Sequence, residues 1–236
     1  INSSVIEGPG FDSFTIALSE PDAGIAGALL NDRAICSACR SEFLDPANRR
    51  YHYPFISCTR CGPRFSIAHR LPYDRHNTSW GDFPPCARCA AEHDDETNRR
   101  FHMVGISCPD CGPKLYTAAN PTSNAALAEA ASVLRDGGIV AVKGSAGYQL
   151  MVDAGNAAAV ERLRQRKRRR KPFAILAPNL RWLHQHAAID QIEAAALQGE
   201  AAPIVLLRSN SELANTVAPG TNLLGAMLPN SGIQLR

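Results

Sequence analysis

Hydrophobic and polar positions divide the chain into stretches of different rhythm. From residue 34 to about residue 118 apolar residues are sparse, so this region would struggle to fold by burial alone. After Asn120-Pro121 alanine rises and helical and strand patterns alternate. Residues 123–136 read as a helix with Thr122 or Ser123 as its cap and Gly137-Gly138 as its stop. A buried strand from Ile139 to Lys143 follows. The pattern then predicts a helix from about Asn156 to Arg166, a strand from Phe173 to Ala177, helical stretches near 179–186 and 190–198, and a strand from Ile204 to Arg208. Strands alternating with helices predict an α/β sheet with a parallel component. The first 33 residues mix Gly, Pro and Ser with one apolar run, Phe14 to Leu18, and read as the end of an upstream unit joined to a linker.

Length and charge narrow the picture. A chain of 236 residues accommodates two small domains, since domains commonly run to about 100–150 residues. A net charge of +3 is too small to make the whole surface a nucleic-acid ligand, so any basic surface is local. Apolar runs such as Ile204 to Leu207 fall far short of the roughly 20 residues that cross a bilayer, which predicts no membrane association. No basic stretch followed by an apolar run and small residues marks a secretory signal at the start. Because the chain begins with Ile1, it is expected to be a piece of a longer polypeptide.

Cysteine usage carries the first chemistry. All eight cysteines fall in CxxC pairs: Cys36 and Cys39, Cys58 and Cys61, Cys86 and Cys89, Cys108 and Cys111. The pairs belong to an internal repeat of period 50, with 18 residues between the pairs of each copy. Asn48-Arg49-Arg50-Tyr51-His52 aligns with Asn98-Arg99-Arg100-Phe101-His102, and Ile56-Ser57-Cys58 through Gly62-Pro63 with Ile106-Ser107-Cys108 through Gly112-Pro113. Repetition of flanking residues as well as cysteines indicates two copies of one structural unit. Two thiolates at one turn supply half of a tetrahedral site, so four pairs predict two closed four-cysteine zinc sites of structural type rather than disulfides. Thiolate ligands suit a reducing, cytoplasmic setting. Spacing alone leaves two pairings open: closure within each repeat, which the equal spacing favours, or outer pairs meeting while inner pairs meet. Gly62 and Gly112, directly after a ligand, are expected at turns needing positive φ. His52, His69, His76, His93 and His102 are weaker ligand candidates. The arginine pairs at 49/50 and 99/100 read either as partners of acids or as an anion-binding surface.

Beyond the repeat, Lys143-Gly144-Ser145-Ala146-Gly147 follows a strand as a small-residue turn that lets backbone approach a ligand. The run from Arg162 to Lys171 concentrates cations at a helix end, where guanidinium and ammonium groups could clamp phosphates. Two CxxC-x18-CxxC units, the phrase Asp45-Pro46-Ala47-Asn48-Arg49-Arg50-Tyr51-His52-Tyr53-Pro54-Phe55, the phrase Leu71-Pro72-Tyr73-Asp74-Arg75 and the basic run together resemble the HypF family of carbamoyltransferases. The resemblance implies a mixed α+β and α/β architecture: the end of an acylphosphatase-like domain over 1–33, a duplicated four-cysteine zinc-finger region over 34–118, and an incomplete YrdC-like domain, a double-stranded-RNA-binding type of fold, over 123–236. It also implies carbamoyl adenylate formation from carbamoyl phosphate and ATP, with Mg2+ accompanying the nucleotide. The carbamoyl group then passes to the C-terminal cysteine of a HypE-type partner in [NiFe]-hydrogenase maturation. By the same resemblance Lys143, Gly144 and Ser145 form the substrate turn, and Lys167 and Arg169 neutralise the ATP phosphates. The chain is one residue shorter than the family pattern before Lys171-Pro172 and ends ahead of the family's Ser-x-Asn element, so the segment alone is expected to be inactive.

Two readings from other classes share parts of this pattern. Duplicated four-cysteine units also occur in zinc-dependent modules that hold protein clients, as in DnaJ. YrdC-like domains also serve tRNA modification, where the basic run would meet a phosphate backbone. The α/β region speaks against the first and the paired zinc units against the second, so nucleic acid is not the expected partner.

Overall fold

The computed structural model describes residues 29–168 and 171–235. The run Phe14 to Leu18 and Arg169, expected in a phosphate clamp, lie outside the described residues. In the cysteine region, helices α1 (Ser37–Leu44) and α2 (Ala87–Asp94) occupy equivalent places in the two repeats. Each begins immediately after a cysteine in extended conformation, Cys36 with φ −74° and Cys86 with φ −69°. Cys36 caps its helix with sulfur, which accepts the Cys39 amide at 3.5 Å. Short single-turn helices, Phe65–Ile67 and Arg75–Asn77, fill the connection between repeats. Ile67 and Trp80 from that connection are buried.

The α/β region begins with α3 (Ser123–Arg135), capped by Thr122, whose hydroxyl accepts the Ala125 amide at 3.4 Å. Gly137, at φ +75°, ends it. Strands β1 (Val140–Gly144) and β2 (Gly147–Met151) form an antiparallel hairpin of their own. The strand expected to be buried is therefore only half-buried, with alternating exposure along β1. A two-stranded hairpin covers one face and leaves the other to solvent. Next come α4 (Ala157–Lys167), capped by Asn156, and β3 (Ala174–Leu176). They are followed by α5 (Leu180–His184), β4 (Ala187–Ala188), α6 (Gln191–Gln198), β5 (Val205–Ser209), α7 (Leu213–Val217) and β6 (Leu223–Met227). Four of the strands form a mixed sheet in the order β3-β6-β5-β4, in which only β3 and β6 run parallel. The parallel component predicted from the sequence is this one pair.

Three cores result. The largest lies in the α/β region, where Leu207 and Leu224 from the sheet meet Val160 of α4, Leu183 of α5 and Leu197 of α6. Full burial of such a side chain contributes about 1.5–3 kcal/mol. The other two are small and partly made of sulfur: Phe43, Tyr53 and Ile56 around Cys39, Cys58 and Cys61, and Met103 and Ile106 around Cys89 and Cys108. The first repeat is seated on the α/β region. The Ile35 amide donates to the Asn230 carbonyl at 2.8 Å and the Ala34 amide to the Glu200 carbonyl at 2.7 Å. Leu235 packs on the first sulfur-lined core. At Gly232 a Cβ would stand 2.6 Å from the Pro54 carbonyl oxygen, so the seam admits only glycine there. No helix among the described residues is long and apolar enough to cross a membrane.

Candidate metal centres and substrate turn

In each repeat the proximal CxxC places one cysteine at the helix cap and the other three residues on, which puts both sulfurs on the same side of the first turn. The distal CxxC forms a knuckle: the Cys61 amide donates to the Cys58 carbonyl and the Cys111 amide to the Cys108 carbonyl, both at 3.2 Å. Gly62 closes its knuckle at φ +92°. Gly112 does not share the positive φ expected for it; close approach explains this glycine, since a Cβ would stand 2.0 Å from the Tyr53 hydroxyl and 2.6 Å from Ser107 Cβ.

These turns gather Cys36, Cys39, Cys58 and Cys61 into one cluster and Cys86, Cys89, Cys108 and Cys111 into another, with the sulfurs of each within 4.8 Å of one another. Closure is thus within each repeat. A tetrahedron with Zn–S bonds of about 2.3 Å has edges of about 3.8 Å. The sulfurs of the first cluster stand 3.7 Å (36 to 58), 3.8 Å (58 to 61) and 3.5 Å (39 to 61) apart. Those of the second stand 3.8 Å (86 to 108), 3.8 Å (108 to 111) and 3.6 Å (89 to 111) apart. The residues present fit two structural zinc sites. Burial pushes the Cys89 thiol up to about 12, and hydrogen bonding to Cys58 and Cys61 likewise raises Cys39. Four sulfurs gathered this closely, three of them buried in the first cluster and two in the second, carry negative charge together most readily around a cation.

Charge around the clusters is arranged crosswise between the repeats. Arg99 donates to Cys39 Sγ at 2.8 Å and to Glu42 at 3.0 Å, while its counterpart Arg49 donates to Cys89 Sγ and to Glu92, both at 3.1 Å. Arg100 reaches Glu42 at 2.5 Å and the Ser57 carbonyl at 3.0 Å. Arg50 reaches Glu92 at 2.6 Å and the Ser107 carbonyl at 2.9 Å. Burial would raise the Glu42 and Glu92 carboxyls, but the hydrogen bonds from Arg100 and Arg99 to the one, and from Arg50 to the other, hold both below the ordinary value. The arginine pairs are partners of acids and sulfur, and their shared offset of 50 with the glutamates was the sequence signal for it.

The histidines enter neither cluster. His52 stacks on Tyr51 at 3.7 Å between ring centroids, His93 meets His102 at 4.9 Å, and His69 hydrogen-bonds Ser79 at 3.3 Å. Arg75, from the phrase between repeats, was not singled out by sequence. It donates to the carbonyls of Val104 and Ile106, both at 2.9 Å, and to that of Phe83, tying the connection to the second repeat.

The hairpin β1–β2 turns through Ser145 and Ala146, with Gly144 paired to Gly147 at φ +110°. Lys143 lies over the Tyr148 ring, 5.8 Å from its centroid. The turn separates two hollows. A cleft of about 530 Å³ holds Lys143, Gly144 and Ser145 opposite Phe55, Trp80 and Lys114. A smaller cavity of about 180 Å³ lies between Gly144 to Gly147 and the seam residues Asp32, Arg33 and Asn230. Lys167 lines neither hollow: it sits at the end of α4 over the Phe173 ring, 5.6 Å away, before Arg168 at φ +49°. Arg164, within the same basic run, is held by main-chain carbonyls. It donates to the carbonyls of Thr216 at 2.9 Å and Val217 at 3.1 Å and stacks on Phe173 at 4.5 Å.

Comparison with known proteins agrees with this anatomy. The family described as HypF finger matches residues 35–68 and 86–117. The Sua5/YciO/YrdC family, described as Telomere recombination, matches residues 132–236. Carbamoyltransferase HypF2 of Cupriavidus necator is 50% identical over 232 residues, covering 94% of this chain and 29% of its own length. The probable carbamoyltransferase HypF of Methanocaldococcus jannaschii is 42% identical over 232 residues, 94% of this chain and 30% of its own. A crystal structure of full-length HypF in its phosphate- and nucleotide-bound form superposes with a TM-score of 0.83 at 39% identity, over 88% of this chain and 28% of that one. The chain spans under a third of the length of these relatives. Two four-cysteine clusters within HypF-finger units, followed by a Sua5/YrdC-type α/β region on a matching backbone, mean that the chain belongs to the HypF family.

Proposed function

We propose that this chain is the zinc-bearing and adenylate-forming part of a carbamoyltransferase. It takes ATP with Mg2+ and a carbamoyl group from carbamoyl phosphate, releases pyrophosphate, and prepares the carbamoyl group for the C-terminal cysteine of a HypE-type protein in the cytoplasm. The observation that carries the reading is the combination of two HypF-finger units seated on a Sua5/YrdC-type region, in a chain about half identical to a named carbamoyltransferase. Its units are a duplicated zinc region over 34–118 and a YrdC-like domain over 123–236, preceded over 1–33 by the end of an acylphosphatase-like domain.

In this reading the eight cysteines hold two zinc ions, which close and stiffen the knuckles and take no part in chemistry. Zinc supplies the charge that lets buried thiolates coexist. The turn from Lys143 to Ser145 offers an ammonium and close backbone approach in the larger cleft, features suited to an anionic substrate. Lys167 and Arg169 receive charge on the departing pyrophosphate, and the Phe173 ring beneath Lys167 fixes the start of that clamp. The test is pyrophosphate release by the full-length protein, expected only when ATP and carbamoyl phosphate are both present. Lys143→Ala and Lys167→Ala should each lower it about 30- to 1000-fold, the loss of about 2–4 kcal/mol of charge stabilisation. Release that ignores carbamoyl phosphate, or unchanged rates in both variants, would sink the reading.

A further inference from the structure

We propose that Arg99 and Arg49 are positioning residues for the metal site of the opposite repeat, so that filling one four-cysteine cluster raises the zinc affinity of the other. The inference rests on zinc occupying both clusters. Its basis is where the arginines are anchored. Arg99 and Arg100 lie on the stretch between Cys89 and Cys108, the 18 residues whose two ends the second cluster brings together. That stretch is folded by local bonds: the Asn98 amide to the Asp95 carbonyl at 2.9 Å, the Arg100 amide to Asn98 Oδ1 at 3.0 Å, and the His102 amide to the His93 carbonyl at 2.9 Å. A metal in the second cluster closes the loop and removes much of its freedom. What the closed loop presents is directed at the first cluster: Arg99 donates to Cys39 Sγ at 2.8 Å, and its main-chain carbonyl accepts from the Thr59 hydroxyl, in the distal knuckle, at 3.1 Å.

The reverse holds for the loop between Cys39 and Cys58, whose Arg49 reaches Cys89 Sγ at 3.1 Å. Hydrogen bonds from a cation to a coordinating thiolate stabilise the charged ligand and fix its direction. Each arginine also bonds the glutamate one turn after that cysteine, Glu42 or Glu92, so its fork spans ligand and helix together. Ordering the donor loop with one metal thus prepares the ligand set of the other, which is a coupling free energy between two sites.

The test is stepwise return of zinc to chelator-stripped full chain, followed by native mass spectrometry. Saturation should give two zinc ions per chain; a different number would overturn both this inference and the zinc reading. At half saturation, independent equal sites leave about half of the chains with one metal, and coupled sites leave fewer. We expect the one-zinc form to be depleted. A one-zinc share at or above the independent value would refute coupling while leaving the zinc reading intact. The arginine's part is tested by affinity at the first cluster, measured by chelator competition. Emptying the second cluster with Cys86→Ser and Cys108→Ser should weaken the first by about 5- to 150-fold when Arg99 is present. In chains carrying Arg99→Ala, or the milder Arg99→Lys that keeps the charge without the fork, the same cysteine changes should cost far less. An equal loss with and without Arg99 would assign the coupling to the shared core and overturn the role given to the arginine.

Discussion

At the scale of single residues, identical positions in the repeat are kept for different reasons. Gly62 and Gly112 align, yet the first is held at positive φ and the second is pressed against the Tyr53 hydroxyl and Ser107. Gly112→Ala should therefore destabilise the protein by about 1–3 kcal/mol through overpacking, read as a lower thermal midpoint at saturating zinc. A midpoint equal to that of the unchanged chain would mean that Tyr53 yields freely. Arg164 gives a second contrast. Its hydrogen bonds to the Thr216 and Val217 carbonyls and its stacking on Phe173 make it a brace between α4 and α7. Arg164→Ala should cost about 1.5–3 kcal/mol of stability, measured by denaturant midpoint, where an exposed cation would give no change. Sequence could list both residues, but neither the Tyr53 contact at Gly112 nor the Thr216 and Val217 partners of Arg164 follows from spacing, because each comes from a distant segment of the chain.

At the scale of elements, legibility followed length and capping. Helices α3, α4 and α6 and strands β3 and β5 lie within a few residues of their predicted positions, and each helix has a polar cap that marks its start: Thr122, Asn156 and Asp190, the last in a reciprocal box with Glu193. Missed were β2, β4 and β6, helix α7 and the helices of the repeats. The two residues of β4 give no period, and Gly225 interrupts the apolar run of β6 although that strand is central in the sheet. Helices α1 and α2 are eight residues each, too short to stand on propensity, and are held by cysteines at their starts and by glutamates that meet the arginines of the other repeat. Those glutamates predict a pH dependence. Glu42 and Glu92 have folded values held below the ordinary 4.5, so their contribution is complete above that value and lost as pH falls through the lower folded one. The stability difference between the unchanged chain and Glu42→Gln with Glu92→Gln should accordingly be largest above about pH 5 and shrink in acid. A difference that stays constant through the titration would mean that the carboxylates add no net charge term.

At the scale of the whole molecule, the two regions depend on different physics. The α/β core is hydrocarbon, while the cysteine region uses sulfur as core and metal as cross-link. The chain's two tryptophans report separately, since Trp80 is buried in the cysteine region and Trp182 lies in the α/β region. In a Trp182→Phe chain, chelation of zinc should shift Trp80 emission to the red as its pocket opens, and strand and helix signal from the α/β region should persist. Unshifted emission would show that the cysteine region holds its form without metal. Cysteine spacing announced the clusters plainly; the seating of the first repeat through Gly232 and Leu235 was not legible, because it joins residues about 180 apart.

The crosswise arginines also speak to ancestry. Residue 42 meets 99 and 100 while 92 meets 49 and 50, which is the contact rule of an isologous homodimer written on one chain. A lone repeat would leave its glutamate and both guanidinium groups without these partners, and pairing with a second copy would satisfy all of them. Joining the copies in one gene fixes that pairing at a high effective concentration. It also splits the evolutionary record: changes at 42 and 100 must be accepted together, as must those at 92 and 50, so the strongest covariation should run between the copies rather than within them.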